Sequence, residues 1–252
     1  MLLALLLLAL NPPSLARVDA IELSANADGL DGKIELLEDA RFHPAMSETW
    51  WGQDGAMVCD EWQKYGDAET RELCASIEQS PLLPATIRLL DASGKVLDER
   101  RFDRELAKLE PAALLYGSKR RTFLVTVDYG IGFGSYAGPM TYLVEPRDKK
   151  LQWLKARDKS GSVSEPQLVR TLKSEWRLAR RADGLGQDIL AVQCRPDFER
   201  EESASSEPGG DLPFLIHFFR YHFDGKSWIE SERTEPGFWE DEGEFPSADR
   251  FP

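Results

Sequence analysis

The segment Asp128-Tyr-Gly-Ile-Gly-Phe-Gly-Ser-Tyr-Ala-Gly138 gathers the residues best suited to chemistry in this chain. Glycines at 130, 132 and 134 after a hydrophobic run suggest a phosphate loop, which needs a following helix whose first amides hold the anion. Gly138-Pro139 and a second apolar run follow instead, without Gly-Lys-Ser/Thr, so a nucleotide site is set aside. Ser135 is followed by Tyr-Ala-Gly and so lacks the glycine spacing of a hydrolase nucleophile elbow. What remains is a glycine-rich hairpin loop, because glycine lets strands bulge and backbones approach closely. Within it Asp128, Tyr129, Ser135 and Tyr136 are candidate ligand-binding residues. Tyrosine offers a flat face with a polar tip, and aspartate supplies a charged acceptor.

A second candidate is Trp50-Trp51, followed by Gly52. Successive strand residues face opposite ways, so one ring is expected in the core and the other in reach of a sugar or peptide. Trp62 and Tyr65 keep the neighbourhood aromatic. Cys59 and Cys74 flank a short polar segment, and in an oxidising compartment a bridge between them would brace it. The expectation is an aromatic-rich, disulfide-braced loop that serves as a recognition surface. Cys194 is left over, on a strand face with Leu190 and Val192, and reads as a core thiol.

Other chemistry finds little support. His43, His217 and His222 are the only histidines, and the last two are five apart in a strand, facing opposite ways. Cys and His are too sparse for a zinc site. Asp28-Gly-Leu-Asp-Gly32 and Glu240-Asp-Glu242 with Glu244 lack the alternation of a calcium loop. Carboxylates are too many to single out an acid–base pair. No metal and no cofactor are expected.

The elements that must position these residues are mostly strands. Thr122–Val127, Met140–Glu145 and Leu151–Leu154 form one unit, with Arg147-Asp-Lys-Lys150 as a turn. Asp188–Cys194, Phe214–Phe223 and Lys226–Ile229 form a second, closed by the Asp224-Gly225 turn. A fainter third copy runs through Thr86–Leu90 and from Val96 onward. The fold expected is mainly β: an antiparallel sandwich or an open stack of blade-like meanders, with one or two short helices. A helix is predicted over Asp67–Ile77, and a second helical stripe over Phe102, Leu106 and Leu109, ended by Pro111. Residues 199–211 read as a mobile acidic insertion in a single domain spanning 17–252. Four rings of the tail, Phe238, Trp239, Phe245 and Phe251, are expected to dock on the body. The basic pairs Arg100-Arg101, Lys149-Lys150 and Arg180-Arg181, and Lys119-Arg120-Arg121, read as protection of strand edges.

Composition bounds the class. The chain has 252 residues, 42% hydrophobic, with a net charge of -13. That charge argues against nucleic-acid binding, which requires displaced counterions and a basic surface. No run reaches the roughly 18 apolar residues of a membrane span. Met1–Leu10 is an apolar run, stopped by Asn11-Pro12-Pro13 and followed by the cleavage-like Ser14-Leu15-Ala16, so residues 1–16 read as an export signal. Val18-Asp19-Ala20 is a weaker second cleavage option, and the lack of Lys or Arg before the run places the expected translation start upstream. The expectation is an exported protein, periplasmic or secreted, that binds a protein or a glycan through aromatic and glycine-rich loops without catalysis. Its charge favours a basic envelope protein as partner. A secreted hydrolase acting on glycan or peptide, and a structural envelope component, are the alternatives.

Overall fold

The run Thr122-Phe-Leu-Val-Thr-Val127 has no polar face, which is the pattern of a strand buried on both sides. The structure, a computed structural model, puts it at the centre. Residues described are 13–23, 31–42, 55–112, 122–127, 136, 138–184, 186–197, 213–241 and 244–252.

Three antiparallel meanders follow one another along the chain. The first sheet pairs β1 (Leu15–Leu23), β2 (Gly32–Asp39), β3 (Thr86–Asp91) and β4 (Val96–Arg101) in that order. The second joins β5 (Ala107–Ala112), β6 (Thr122–Val127) and β7 (Met140–Arg147), with β8 (Lys150–Trp153) and β11 (Leu168–Val169) sharing the far edge of β7. The third carries β12 (Ser174–Arg180), β13 (Gln187–Pro196), β14 (Phe214–Phe223) and β15 (Trp228–Pro236). Two short strands extend it: β9 (Ala156–Arg157), which runs parallel to β15, and β10 (Val163–Ser164).

Alternation along each strand builds the layers. Ile34, Leu36, Ile87 and Leu89 of the first sheet meet Phe123, Val125, Val127 and Val144 of the second. On the other face of the second sheet, Leu124 and Leu143 meet Trp176, Ile189, Ala191, Phe219 and Tyr221 of the third. The second sheet is therefore the filling between two others, and the molecule is an open stack of meanders. β8 runs on through Leu154 into β9, so one stretch of chain stitches the second sheet to the third.

The outer faces are finished differently. On the first sheet Arg17 and Lys33 pair with Glu35, and Arg88 and Arg101 pair with Glu99, a ladder of partly exposed ion pairs. The third sheet turns Leu190, Val192, Ile216 and Phe218 outward, and the tail covers them with Phe251, flanked by Trp239 and Phe245. Phe251 meets Phe218 edge-on at 5.4 Å, and Arg177 lies 3.6 Å over the Phe245 ring. Phe238 also docks, edge-on to Phe214 at 5.1 Å, though it stays 54% exposed. The basic pairs at 100–101, 149–150 and 180–181 lie on or beside β4, β8 and β12, all edge strands.

Two helices, α1 (Gly55–Tyr65) and α2 (Ala68–Gln79), leave the first sheet between β2 and β3. Asp67 caps α2 by accepting the Thr70 N–H at 2.8 Å. The Cys59–Cys74 disulfide joins them with a Cα separation of 5.4 Å. This corrects the braced loop expected from the sequence: the bridge is present, but it ties two helices. The second predicted helix is also corrected. Phe102 and Leu106 sit in a turn, and Leu109 belongs to β5, where Ala107 and Leu109 point inward and Lys108 and Glu110 outward. Pro111 is tolerated because β5 is the edge of its sheet and proline need not donate there.

Candidate functional site

Strand directions decide which loops meet. β6 ends at Val127, opposite the first residue of β5, Ala107. The Ala107 N–H donates to Glu38 of β2 at 3.1 Å, so the end of β2 and the start of the helical hairpin share this end of the stack. The end of β13 arrives there too: Gln193 donates to the Gln167 carbonyl, beside Leu168, which pairs with Thr141 at the start of β7. The ends of β2, β6 and β13 and the starts of β5 and β7 therefore lie at the same end of the stack. Of the predicted binding residues, Trp50, Trp51, Asp128, Tyr129 and Ser135 lie outside the described residues, as do most of the leader and the acidic insertion.

Tyr136 is described, and it is 51% exposed. Two residues on, Gly138 lies so close to the Arg170 carbonyl that a Cβ there would come within 2.0 Å of it. Pro139 accepts the Arg170 N–H at 3.1 Å. Gly138 and Pro139 thereby pack beside the turn Thr171–Ser174, which exposes Leu172 and buries Lys173.

Lys173 organises the surroundings. Its ammonium sits 3.3 Å above the Phe238 ring and 5.5 Å from Phe214, and it pairs with Glu240. A desolvated cation over an aromatic face is worth about 2 kcal/mol, more than the same contact in water. The tail is pinned on both sides of this clamp. Gly237 donates to the Phe214 carbonyl at 3.0 Å, and Asp241 donates to the Leu172 carbonyl at 2.9 Å. Trp239 donates its backbone N–H to Cys194 Sγ at 3.4 Å. The outcome is an exposed apolar patch of Tyr136, Leu172 and Phe238, on a base held rigid by Lys173 and Glu240.

Two groups here, Cys194 and Tyr136, are set against ionisation. Burial pushes the Cys194 thiol up, so it stays protonated and is a poor nucleophile. Burial, and then the neighbouring Cys194, push the Tyr136 phenol up, so it keeps its proton and can donate a hydrogen bond. The patch can therefore offer apolar area, one hydroxyl and the fixed charges beside it. On the helical hairpin Tyr65 is 86% exposed, whereas Trp62 packs against the cluster of Val58, Cys59 and Cys74. Leu172 and Lys173 escaped the sequence reading. The signal that could have found them is Gly138-Pro139, whose close packing demands a partner segment.

Compared with known proteins, the chain matches no family model, no curated protein and no solved structure.

Proposed function

We propose that this is an exported, non-catalytic binding protein that takes up a basic protein partner on the Tyr136–Leu172–Phe238 patch. The observation that carries this reading is the exposure of three large apolar side chains near one ion pair, in which Lys173 is buried and Glu240 half-buried. Fully burying a side chain of this size is worth roughly 1.5–3 kcal/mol, and a pre-ordered base loses little entropy in doing so. The chain charge of -13 supports a basic partner, since long-range attraction raises the encounter rate at low salt. The disulfide and the absence of a long apolar helix among the described residues are compatible with export.

The test is photo-crosslinking from position 136 in cells, followed by binding assays with the partner so identified. Tyr136→Ala and Leu172→Ser should leave the melting temperature within a few degrees and weaken that complex about tenfold or more. Added salt should slow association. A large fall in melting temperature, or binding indifferent to both changes, would refute the proposal.

A further inference from the structure

A cleft of about 630 Å³ opens at the opposite end of the stack. It lies along β8, between β4 of the first sheet and the β14–β15 turn of the third, in the size range of small-ligand sites. Trp153 lines it and is stacked on Tyr142, the rings 5.4 Å apart and 25° from parallel. Arg100, Arg147, Lys155 and Lys226 line it against two carboxylates, Glu145 and Glu165. In a chain of net charge -13 this is a local inversion of sign. A screening length of about 8 Å at physiological salt removes the distant acids, and of the near ones Asp98 and Asp148 pair with Arg100 and Arg147.

The cations differ in availability. Arg100 lies 3.7 Å from Asp98, which also receives the Leu151 N–H at 2.9 Å and Lys150 at 3.3 Å. The Lys155 and Lys226 ammoniums make no ion pair among the described residues.

We propose that this cleft binds an anionic glycan, a chain of sugars bearing carboxylates, with Lys155 and Lys226 meeting the acid groups and Trp153 packing against a ring. A sugar is favoured over an extended acidic peptide by the state of the β8 edge. A peptide would add itself as a strand, but the Leu151 N–H on that edge is already taken by Asp98. Side-chain recognition remains, with Gln152 and Ser227 also in the lining, which suits hydroxyl-rich ligands. The inference is independent of the partner patch at the other end.

The experiment is calorimetric titration of the whole protein with a uronic-acid trimer, its carboxyl-reduced neutral trimer, inorganic phosphate and an oligoglutamate peptide. The uronate trimer should bind, and the other three should bind at least about tenfold more weakly, the scale of one charge-assisted contact. Lys155→Glu with Lys226→Glu should abolish uronate binding. The equal charge change Lys64→Glu with Arg71→Glu, on the helical hairpin, should preserve it. Phosphate binding as tight as uronate would reduce the site to a bare anion site and overturn the sugar assignment. Equal binding of the neutral trimer or tighter binding of oligoglutamate would also overturn the proposal, as would no uronate binding at millimolar concentration or loss in both double variants.

Discussion

Glu38 and Asp39 are neighbours on β2, yet the fold treats their carboxyls oppositely. Glu38 faces the second sheet, where burial raises it and the single Ala107 N–H only partly offsets that cost. Burial acts on Asp39 as well, but Arg41 grips it at 2.7 Å, and the backbone N–H groups of Leu83 and Arg41 add to that hold. The balance holds Asp39 below the usual carboxylate range. Signs follow from linkage. Glu38 contributes its stability when protonated and loses it as pH climbs from the ordinary glutamate range through its raised value. Asp39 contributes above the ordinary aspartate range and loses it as pH falls through its lowered value. Glu38→Gln keeps an acceptor for the Ala107 N–H and removes the cost of a buried charge. It should hold or raise stability at pH 7 by up to about 1 kcal/mol and flatten the decline between acid and neutral pH. Urea titrations at several pH values would measure this, and a clear loss at pH 7 would show that Glu38 is needed as an anion.

At the scale of elements, the disulfide gives the cleanest prediction. Cys59 and Cys74 lie 15 residues apart and are both buried between α1 and α2. Cys59→Ser, Cys74→Ser and the double change should each cost about 3 kcal/mol, without adding, because one bridge is lost in every case. Losses that add would mean independent packing of two thiols. The same elements show what the sequence could reveal. Thr122–Val127 and Phe214–Phe223 were legible to the residue, since dense β-branched and aromatic runs admit few alternatives. The α2 cap was legible from Asp67. β5 was not, because Phe102, Leu106 and Leu109 mimic helical spacing while feeding two different clusters, Leu106 with the helices and the others between the sheets. β1 was not read, because its first two residues fall in the expected leader and Val18–Ala20 resembled a second cleavage point. Of the site, Tyr136 was legible as an aromatic in a glycine-rich loop and is exposed, while Leu172 was signalled only by the close packing that Gly138-Pro139 demands. The basic cleft joins the runs 151–155 and 226–228 to single residues such as Arg100 and Glu165, and no local pattern shows that these segments meet.

For the molecule as a whole, the stack must end somewhere, and β1 sets one border. β1 starts at Leu15, which pairs with Asp39, and the Ala40 N–H reaches the Ser14 carbonyl at 2.7 Å. The two expected cleavage points cut this strand very differently. Removal through Ala16 deletes the Ala40–Ser14 hydrogen bond and the first two pairings but retains Arg17–Leu23, including the Arg17–Glu35 ion pair at 3.3 Å. Removal through Ala20 leaves Ile21–Leu23 and strips β2 of most of its partner, so its amides and carbonyls become an open sheet edge. Each lost ladder hydrogen bond is worth about 1 kcal/mol, so the second cut removes a few kcal/mol and invites edge-to-edge association. A chain beginning at Arg17 should therefore melt within a few degrees of one beginning at Pro13, while a chain beginning at Ile21 should melt well below both and aggregate. If the proposed export holds, N-terminal sequencing of the protein recovered from its native cells should find Arg17. Equal melting of the two trimmed chains, or a natural terminus at Ile21, would mean that β1 is dispensable and that the first sheet is held by β2, β3 and the ion-pair ladder alone.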